Sequence, residues 1–241
     1  MKHLKKILIS MLLIAFLAYI GFFIYTLDYY KADDVALSAL SSGQNTFVEV
    51  ENNLVIFKPK EYSDVGIIFY PGGKVEHLAY APLCKELGLN NIQVFLVKMP
   101  FNLAVFDISR ADDIINANQE IAHWYIAGHS LGGAMASQFA AENSQSIEGV
   151  ILLGAYASGD LSQTNKKMLS IYGSEDKILN REIFINSKSN NPPDTLYYEI
   201  VGGNHAYFGS YGEQNGDGTA TITPGEQQSE TVQAILDFLN P

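Results

Sequence analysis

The run Trp124-Tyr125-Ile126-Ala127-Gly128-His129-Ser130-Leu131-Gly132-Gly133, continuing into Ala134-Met135-Ala136, decides how this chain is read. Its short apolar start is that of a buried strand. The Gly128-His129-Ser130-Leu131-Gly132 turn comes next, and the Ala-rich sequence after it suits a helix. In that setting G-x-S-x-G sets a serine at the tip of a sharp strand-to-helix turn. Side chains beside such a serine would clash, and Gly128 and Gly132 remove them. The helix that follows directs unpaired N–H groups and its positive dipole end at the serine. The pattern alone arises by chance often enough to be only a hypothesis. It occurs once here, and the strand–turn–helix context excludes most accidental matches.

An acid and a histidine follow in the order such a serine needs. Val150-Ile151-Leu152-Leu153-Gly154 is a continuous apolar run of buried parallel-strand type. Met168 to Gly173 is the next strand, with Ser174-Glu175-Asp176-Lys177-Ile178 at its end. Thr195 to Val201 then leads into Gly202-Gly203-Asn204-His205. The order Ser, Asp, His separates one serine-hydrolase arrangement from the others.

Over about residues 46 to 241 the chain therefore resembles the α/β-hydrolase superfamily, and within it the small bacterial hydrolases grouped with dienelactone hydrolase. Gly128-His129-Ser130-Leu131-Gly132 matches the superfamily elbow, Gly173-Ser174-Glu175-Asp176 its acid turn and Gly203-Asn204-His205 its histidine loop. The resemblance implies Ser130 as nucleophile, His205 as general base and Asp176 as the group that orients the imidazole. The chemistry of the side chains gives the same roles. A serine hydroxyl is inert at neutral pH without a base, an imidazole titrates in the right range, and a carboxylate fixes its tautomer. Glu175, next to Asp176, and Asp160, after the strand ending at Gly154, are rival acids. His3 lies in the basic N-terminus, His77 in the first predicted helix of the domain, and His123 ahead of the elbow strand. His129 sits beside the serine but points differently, so packing and a local hydrogen bond are expected of it.

The oxyanion hole of the family is backbone. One donor is the residue after the nucleophile, Leu131, and the other comes from the loop after the third strand. Val65 to Tyr70 is that strand and Pro71-Gly72-Gly73-Lys74 that loop. Many superfamily members have His-Gly where this chain has Pro71-Gly72, which leaves the second donor between Gly73 and its neighbours.

A coarse pass alternates strands with helices, which means a mostly parallel twisted sheet with helices on both faces and, by its loop lengths, no large cap; the resemblance implies that this is the α/β-hydrolase fold. Thr46–Val50 and Leu54–Lys58 read as a hairpin turning at Glu51-Asn52-Asn53. After the third strand come a helix over Glu76 to Leu87, a strand over Asn91 to Lys98, and a helix over Asp112 to Glu120. The dozen or so residues between Gly154 and Met168 leave no room for a cap. The Gly-rich aromatic loop from Tyr207 to Thr219 is long for its place, and Tyr207 and Phe208 are expected to wall the substrate pocket. Thr223-Pro224-Gly225-Glu226 is a capping box that opens the last helix. Asn215, Asp217 and Thr219 alternate like calcium ligands, but no glutamate stands at the EF-hand spacing, so no metal is expected. The chemistry read here needs no cofactor.

The N-terminus bears on location. Met1-Lys2-His3-Leu4-Lys5-Lys6 is basic, and the nineteen residues from Ile7 to Tyr25 carry no charge. As a helix they span about 28 Å, enough for a bilayer core. No Ala-x-Ala site stands just beyond, which favours a signal anchor over residues 1–26 above a cleaved signal that would release a secreted domain. The flanking lysines put the N-terminus in the cytoplasm and the domain outside. Residues 27–45 would be a stalk and 46–241 the hydrolase domain. Without its three N-terminal lysines the chain falls from a net charge of −11 to about −14, which argues against nucleic acid as a partner. Cys84 is the only cysteine, so no intrachain disulfide forms. Two function classes follow: a tethered hydrolase acting on a small ester or acyl substrate, and a surface binding or scaffolding protein on the same fold.

Overall fold

The computed structural model describes residues 2–143 and 145–239. Met1 of the expected anchor, and Pro241 at the end of the expected domain, lie outside the described residues.

Eight strands form one sheet in the order β1-β2-β4-β3-β5-β6-β7-β8. They are β1 (Thr46–Val50), β2 (Leu54–Pro59), β3 (Val65–Tyr70), β4 (Gln93–Val97), β5 (His123–His129), β6 (Gly149–Leu153), β7 (Lys167–Gly173) and β8 (Leu196–Ile200). The β1–β2 and β2–β4 pairs are antiparallel, and every pair from β4 through β8 is parallel. Strand period decides which face each side chain serves. In β5, Tyr125 and Ala127 enter one core with Ile67, Phe69, Ile151 and Leu153. Trp124 and Ile126 enter the other with Ile68, Tyr70, Val150 and Leu152. Both faces are covered, which is why the central strands are apolar throughout.

The first core is closed by α3 (Ala81–Leu89) and α6 (Pro224–Leu239), which contribute Leu83, Leu87, Val232, Ile235 and Phe238. The second is closed by α4 (Arg110–Ala117) and α5 (Leu131–Glu142), through Ala111, Ile114, Ala136, Phe139 and Ala140. The helix expected over Glu76 to Leu87 is in fact a 3₁₀ turn, His77–Tyr80, running into α3. The proline at position 82 accounts for the break: it lies in the first turn of α3, where its missing N–H is harmless. Thr223 and Glu226 form the expected capping box, Glu226 Oε2 accepting from Thr223 N and Thr223 Oγ1 from Glu226 N. Between Leu153 and Lys167 there is neither helix nor strand, so no cap covers the sheet there.

β3 and β5 are neighbours, and the connection leaving β3 runs to β4 on one side while that leaving β5 runs to β6 on the other. A crevice opens at such a switch point in an open α/β sheet. The Ser130 turn ends β5 and the Pro71–Lys74 loop ends β3, so both flank it.

At the N-terminus, α1 (Lys2–Leu27) is long and apolar, with a mean hydropathy of 2.7 over its best window and none of that window buried. The stretch expected to be a stalk is held against the domain instead. Tyr30 bridges to Val75, with Tyr30 N donating to Lys74 O and Glu76 N to Tyr30 O. Asp33 N donates to Ser210 O, and Asp33 caps a short helix, α2 (Asp34–Ser38), whose Ala36 is fully buried.

Candidate active site

Ser130 sits between β5 and α5 with φ 50° and ψ −122°, a strained conformation for a residue with a side chain. The turn is pinned on both sides, by Ser130 N donating to Leu153 O on β6 and Ala134 N to Ser130 O. The glycines around it are needed for contact. A Cβ on Gly128 would lie 2.5 Å from the Gly132 carbonyl carbon.

At the ends of β7 and β8 the structure joins an acid to a base. Asp176 and His205 are buried, and His205 Nδ1 lies 2.8 Å from Asp176 Oδ2. The other carboxylate oxygen accepts from Ile178 N at 2.9 Å and Leu179 N at 2.8 Å. An acceptor-only carboxylate on Nδ1 fixes the proton there and leaves Nε2 as a basic lone pair. That Nε2 is buried and has no hydrogen-bond partner among the described residues. Gly154 faces the pair: at φ 51° its Cβ would stand 3.0 Å from His205 Nδ1 and 3.1 Å from Asp176 Oδ2, so only glycine fits.

Ser130 and His205 line one cavity of about 230 Å³. Its other walls are Leu131, Ala134, Gly154, Ala155, Tyr156, Ile178, Leu179 and Asn180, a mostly apolar lining. A larger hollow of about 590 Å³ lies by Ser162–Met168 and Pro192–Leu196. It sits at the amino end of β7, the wrong end of a parallel sheet for ligand chemistry.

The rival residues lie elsewhere. Asp160 is exposed, and its carboxylate, held below the usual range by hydrogen bonds from the Ser162 side chain and backbone, lies away from His205 and Ser130. Glu175 receives a hydrogen bond from Ser174 Oγ. His123 is exposed at the start of β5 and pairs with Glu148 at 2.6 Å, which raises its pKa. His77 is buried, and burial together with Lys98 lowers its pKa to about 4.

His129 packs as expected. Burial, reinforced by the His205 ring, holds it neutral, well below its ordinary pKa. Its ring lies 4.4 Å from that of His205, and its Nδ1 is 2.7 Å from Tyr80 Oη. Gly72 N donates to the same hydroxyl at 3.1 Å. Burial keeps the Tyr80 phenol protonated, so it gives its proton to His129 Nδ1, and His129 carries its own on Nε2. Of the Pro71–Lys74 amides, Gly72 is thus engaged by Tyr80 and Lys74 by Asn102 O. Gly73 N has no acceptor among the described residues.

Tyr207 and Phe208 do not wall the cavity. Phe208 is fully buried in the first core, with its ring 5.6 Å from His129. Tyr207 packs half-buried against the same core. A 3₁₀ turn over Ala206–Phe208 directs them inward, where an apolar ring next to a buried histidine gains most. The loop's role lies in Asp217, which the sequence suggested only as a possible ligand. Its Oδ2 accepts from Ala206 N at 2.9 Å and its Oδ1 from Lys177 N at 3.2 Å, tying the histidine turn to the acid turn. Among the described residues no cluster of three His, Cys, Asp or Glu could hold a metal.

Comparison with known proteins agrees with this architecture. A family model described as alpha/beta hydrolase family matches residues 66–230, and the chain belongs to that family. Among solved structures it is similar to Est1E from Butyrivibrio proteoclasticus, at 12% identity and a TM-score of 0.59, over 82% of this chain and 100% of that one. It is also similar to carboxylesterase CesB from Bacillus subtilis, at 12% identity and a TM-score of 0.60, over 86% and 95% of the two chains. A predicted CIB-like hydrolase from Thermoplasma acidophilum gives 17% identity and 0.59, over 80% and 99%. At these identities the likeness is one of fold. A search of curated protein sequences found no match.

Proposed function

We propose that this protein is a membrane-tethered serine hydrolase of the dienelactone hydrolase-like kind, cleaving a carboxylic ester or related acyl bond through an acyl-enzyme. The observation that carries the reading is the unpaired, buried Nε2 of His205, in the cavity that holds Ser130, with Asp176 fixed on the other side of the ring. Ser130 Oγ attacks the acyl carbon while its proton passes to His205 Nε2. The imidazolium, stabilised by Asp176, then protonates the leaving alcohol as the carbon–oxygen bond breaks. Water, deprotonated by the same nitrogen, releases the acid and restores the serine. The tetrahedral oxyanion would be held by Leu131 N, at the start of α5 where the helix dipole is positive, and by the unengaged Gly73 N.

The uncharged, unburied run from Ile7 to Tyr25 within α1 supports a single-pass anchor, with the lysines that precede it in the cytoplasm and the domain outside. A fluorophosphonate probe tests the chemistry. It should label the full-length protein, and Ser130→Ala should abolish both labelling and ester turnover while the urea-unfolding midpoint is kept. Absence of labelling in the natural chain would leave a binding protein on this fold.

A further inference from the structure

The last turns of α1 do not stand clear of the domain. The Phe22 ring packs edge-on against Phe101 at 5.3 Å and Phe106 at 5.6 Å, and those two rings meet each other at 5.6 Å. Phe101, Val105 and Phe106 nonetheless remain 49%, 44% and 51% exposed, an apolar patch on two 3₁₀ turns, Pro100–Asn102 and Ala104–Phe106. Phe101 adopts φ 55°, which places a large ring on a backbone that strongly disfavours it. Phe22 precedes the helix end at Leu27 by about 7.5 Å along the axis. Two domain side chains therefore lie at the depth of the helix's final turns, below the level at which it emerges.

The same region reaches the site. Lys74, in the loop after β3, pairs with Asp28 at 2.9 Å and lies over the Tyr25 ring at 4.4 Å, and its N–H donates to Asn102 O at 2.8 Å. Leu103, between the two turns, would stand 3.6 Å from a Cβ on Gly73, and Leu131 2.9 Å from it. The helix end, the aromatic patch and the loop beside Ser130 thus form one contiguous surface.

We infer that the Phe101–Val105–Phe106 surface is seated in the bilayer interface around the C-terminal end of α1, and that the site draws its ester from an amphiphile dissolved in that leaflet. The inference rests on reading α1 as a membrane span. Aromatic rings at the boundary between helix and headgroups are the side chains that such an interface favours. The domain is acidic, so apolar contact and not charge attraction must hold it there. A half-exposed aromatic cluster continuous with a membrane helix has the bilayer as its nearest apolar neighbour.

Full-length protein in phosphatidylcholine vesicles, some carrying lipid brominated near the headgroup end of the acyl chain, tests this. Tryptophan is introduced separately as Phe106→Trp, as Phe16→Trp within α1, and as Tyr62→Trp on a solvent-facing loop; the native Trp124 is buried and serves as background. The bromines should quench the Phe16→Trp and Phe106→Trp reporters and leave Tyr62→Trp unchanged. In the natural chain, Phe101→Ser with Phe106→Ser should lower kcat/KM about tenfold for a vesicle-dissolved long-chain ester, the loss of roughly one apolar contact, and leave a water-soluble acetate ester unchanged. Quenching of Phe16→Trp alone would overturn the inference while keeping the anchor, and would give the patch to a protein partner. Absence of quenching at both Phe16→Trp and Phe106→Trp would remove the anchor and the inference with it.

Discussion

Asp176→Asn isolates the one bond on which the proposed chemistry turns. The carboxylate has three partners: His205 Nδ1 on Oδ2, and the amides of Ile178 and Leu179 on Oδ1. Asparagine has a single acceptor oxygen. Two amide donors outweigh one imidazole, so that oxygen stays on the Ile178 side and the new NH₂ faces His205. A donor opposite Nδ1–H drives the ring to its other tautomer, with the proton on Nε2, and a protonated Nε2 cannot take a proton from Ser130. A change of this kind costs about 10⁴ in turnover, or about 5 kcal/mol of transition-state stabilisation. Folding should be nearly untouched, by less than about 1 kcal/mol, because the Ile178 and Leu179 amides and His205 Nδ1 each keep a partner. Hydrolysis of a water-soluble acetate ester by detergent-solubilised protein measures the first, and urea unfolding the second. Asp160→Asn, at an exposed site, is the control and should retain full activity. If Asp176→Asn kept activity within about tenfold of the natural chain, or if Asp160→Asn lost as much, the orienting role would belong to another acid.

Three further outcomes follow from the packing. Tyr80→Phe leaves Gly72 N–H and His129 Nδ1 unsatisfied in a dry interior, and should lower unfolding free energy by about 2–5 kcal/mol; an unchanged urea midpoint would refute the network. Phe208→Ala should cost about 3–5 kcal/mol as a core deletion. Tyr207→Ala should cost clearly less, and neither should discriminate between small and bulky esters; selective loss of bulky substrates would return these rings to the pocket wall. A chain beginning at Asp28, which loses only the half-exposed contacts of Phe22 and Tyr25, should unfold at a urea concentration close to that of the full-length protein. One beginning at Thr46 should unfold earlier, having lost the Tyr30–Val75 bridge and the Asp33–Ser210 and Ala32–Glu76 bonds. Equal midpoints would make residues 28–45 a passive tether.

The parts of the fold that were legible are those governed by local rules. β3 was readable to its exact ends, Val65–Tyr70, because apolar β-branched and aromatic residues there abut Pro71 and Gly72. The Ser130 turn was readable because its steric demand selects glycine at fixed offsets. The acid and the histidine needed only chain order. What was not legible depends on distant partners. Nothing local to Tyr80 says that its hydroxyl will meet a histidine 49 residues away, and a lone tyrosine near a helix start carries no signal. Asp217 was visible as one of three alternating polar residues, but the choice between binding a metal and binding two backbone amides lies in the tertiary position of Ala206 and Lys177. Phe208 was expected at the pocket wall, but it packs into the first core, a placement set by its tertiary neighbours and not by any local sequence mark.

The small residues of the Ser130 turn do more than admit the serine. A Cβ on Gly132 would lie 2.3 Å from both Tyr70 O and Pro71 O, so the first turn of α5 rests directly on the end of β3 and the start of the loop that holds Gly73. One glycine thereby sets the distance between the Leu131 amide and the Gly73 amide, the two donors proposed for the oxyanion. The strain at Ser130, of the order of 1–3 kcal/mol, cannot relax, because α5 is locked beneath it by Ala136, Phe139 and Ala140 in the second core. Any larger residue at 132 would separate β3 from α5, move both donors, and relieve Ser130 together. The placement of Ser130 and the proposed charge-stabilising site are therefore one packing problem, solved by the contact between a helix start and a strand end.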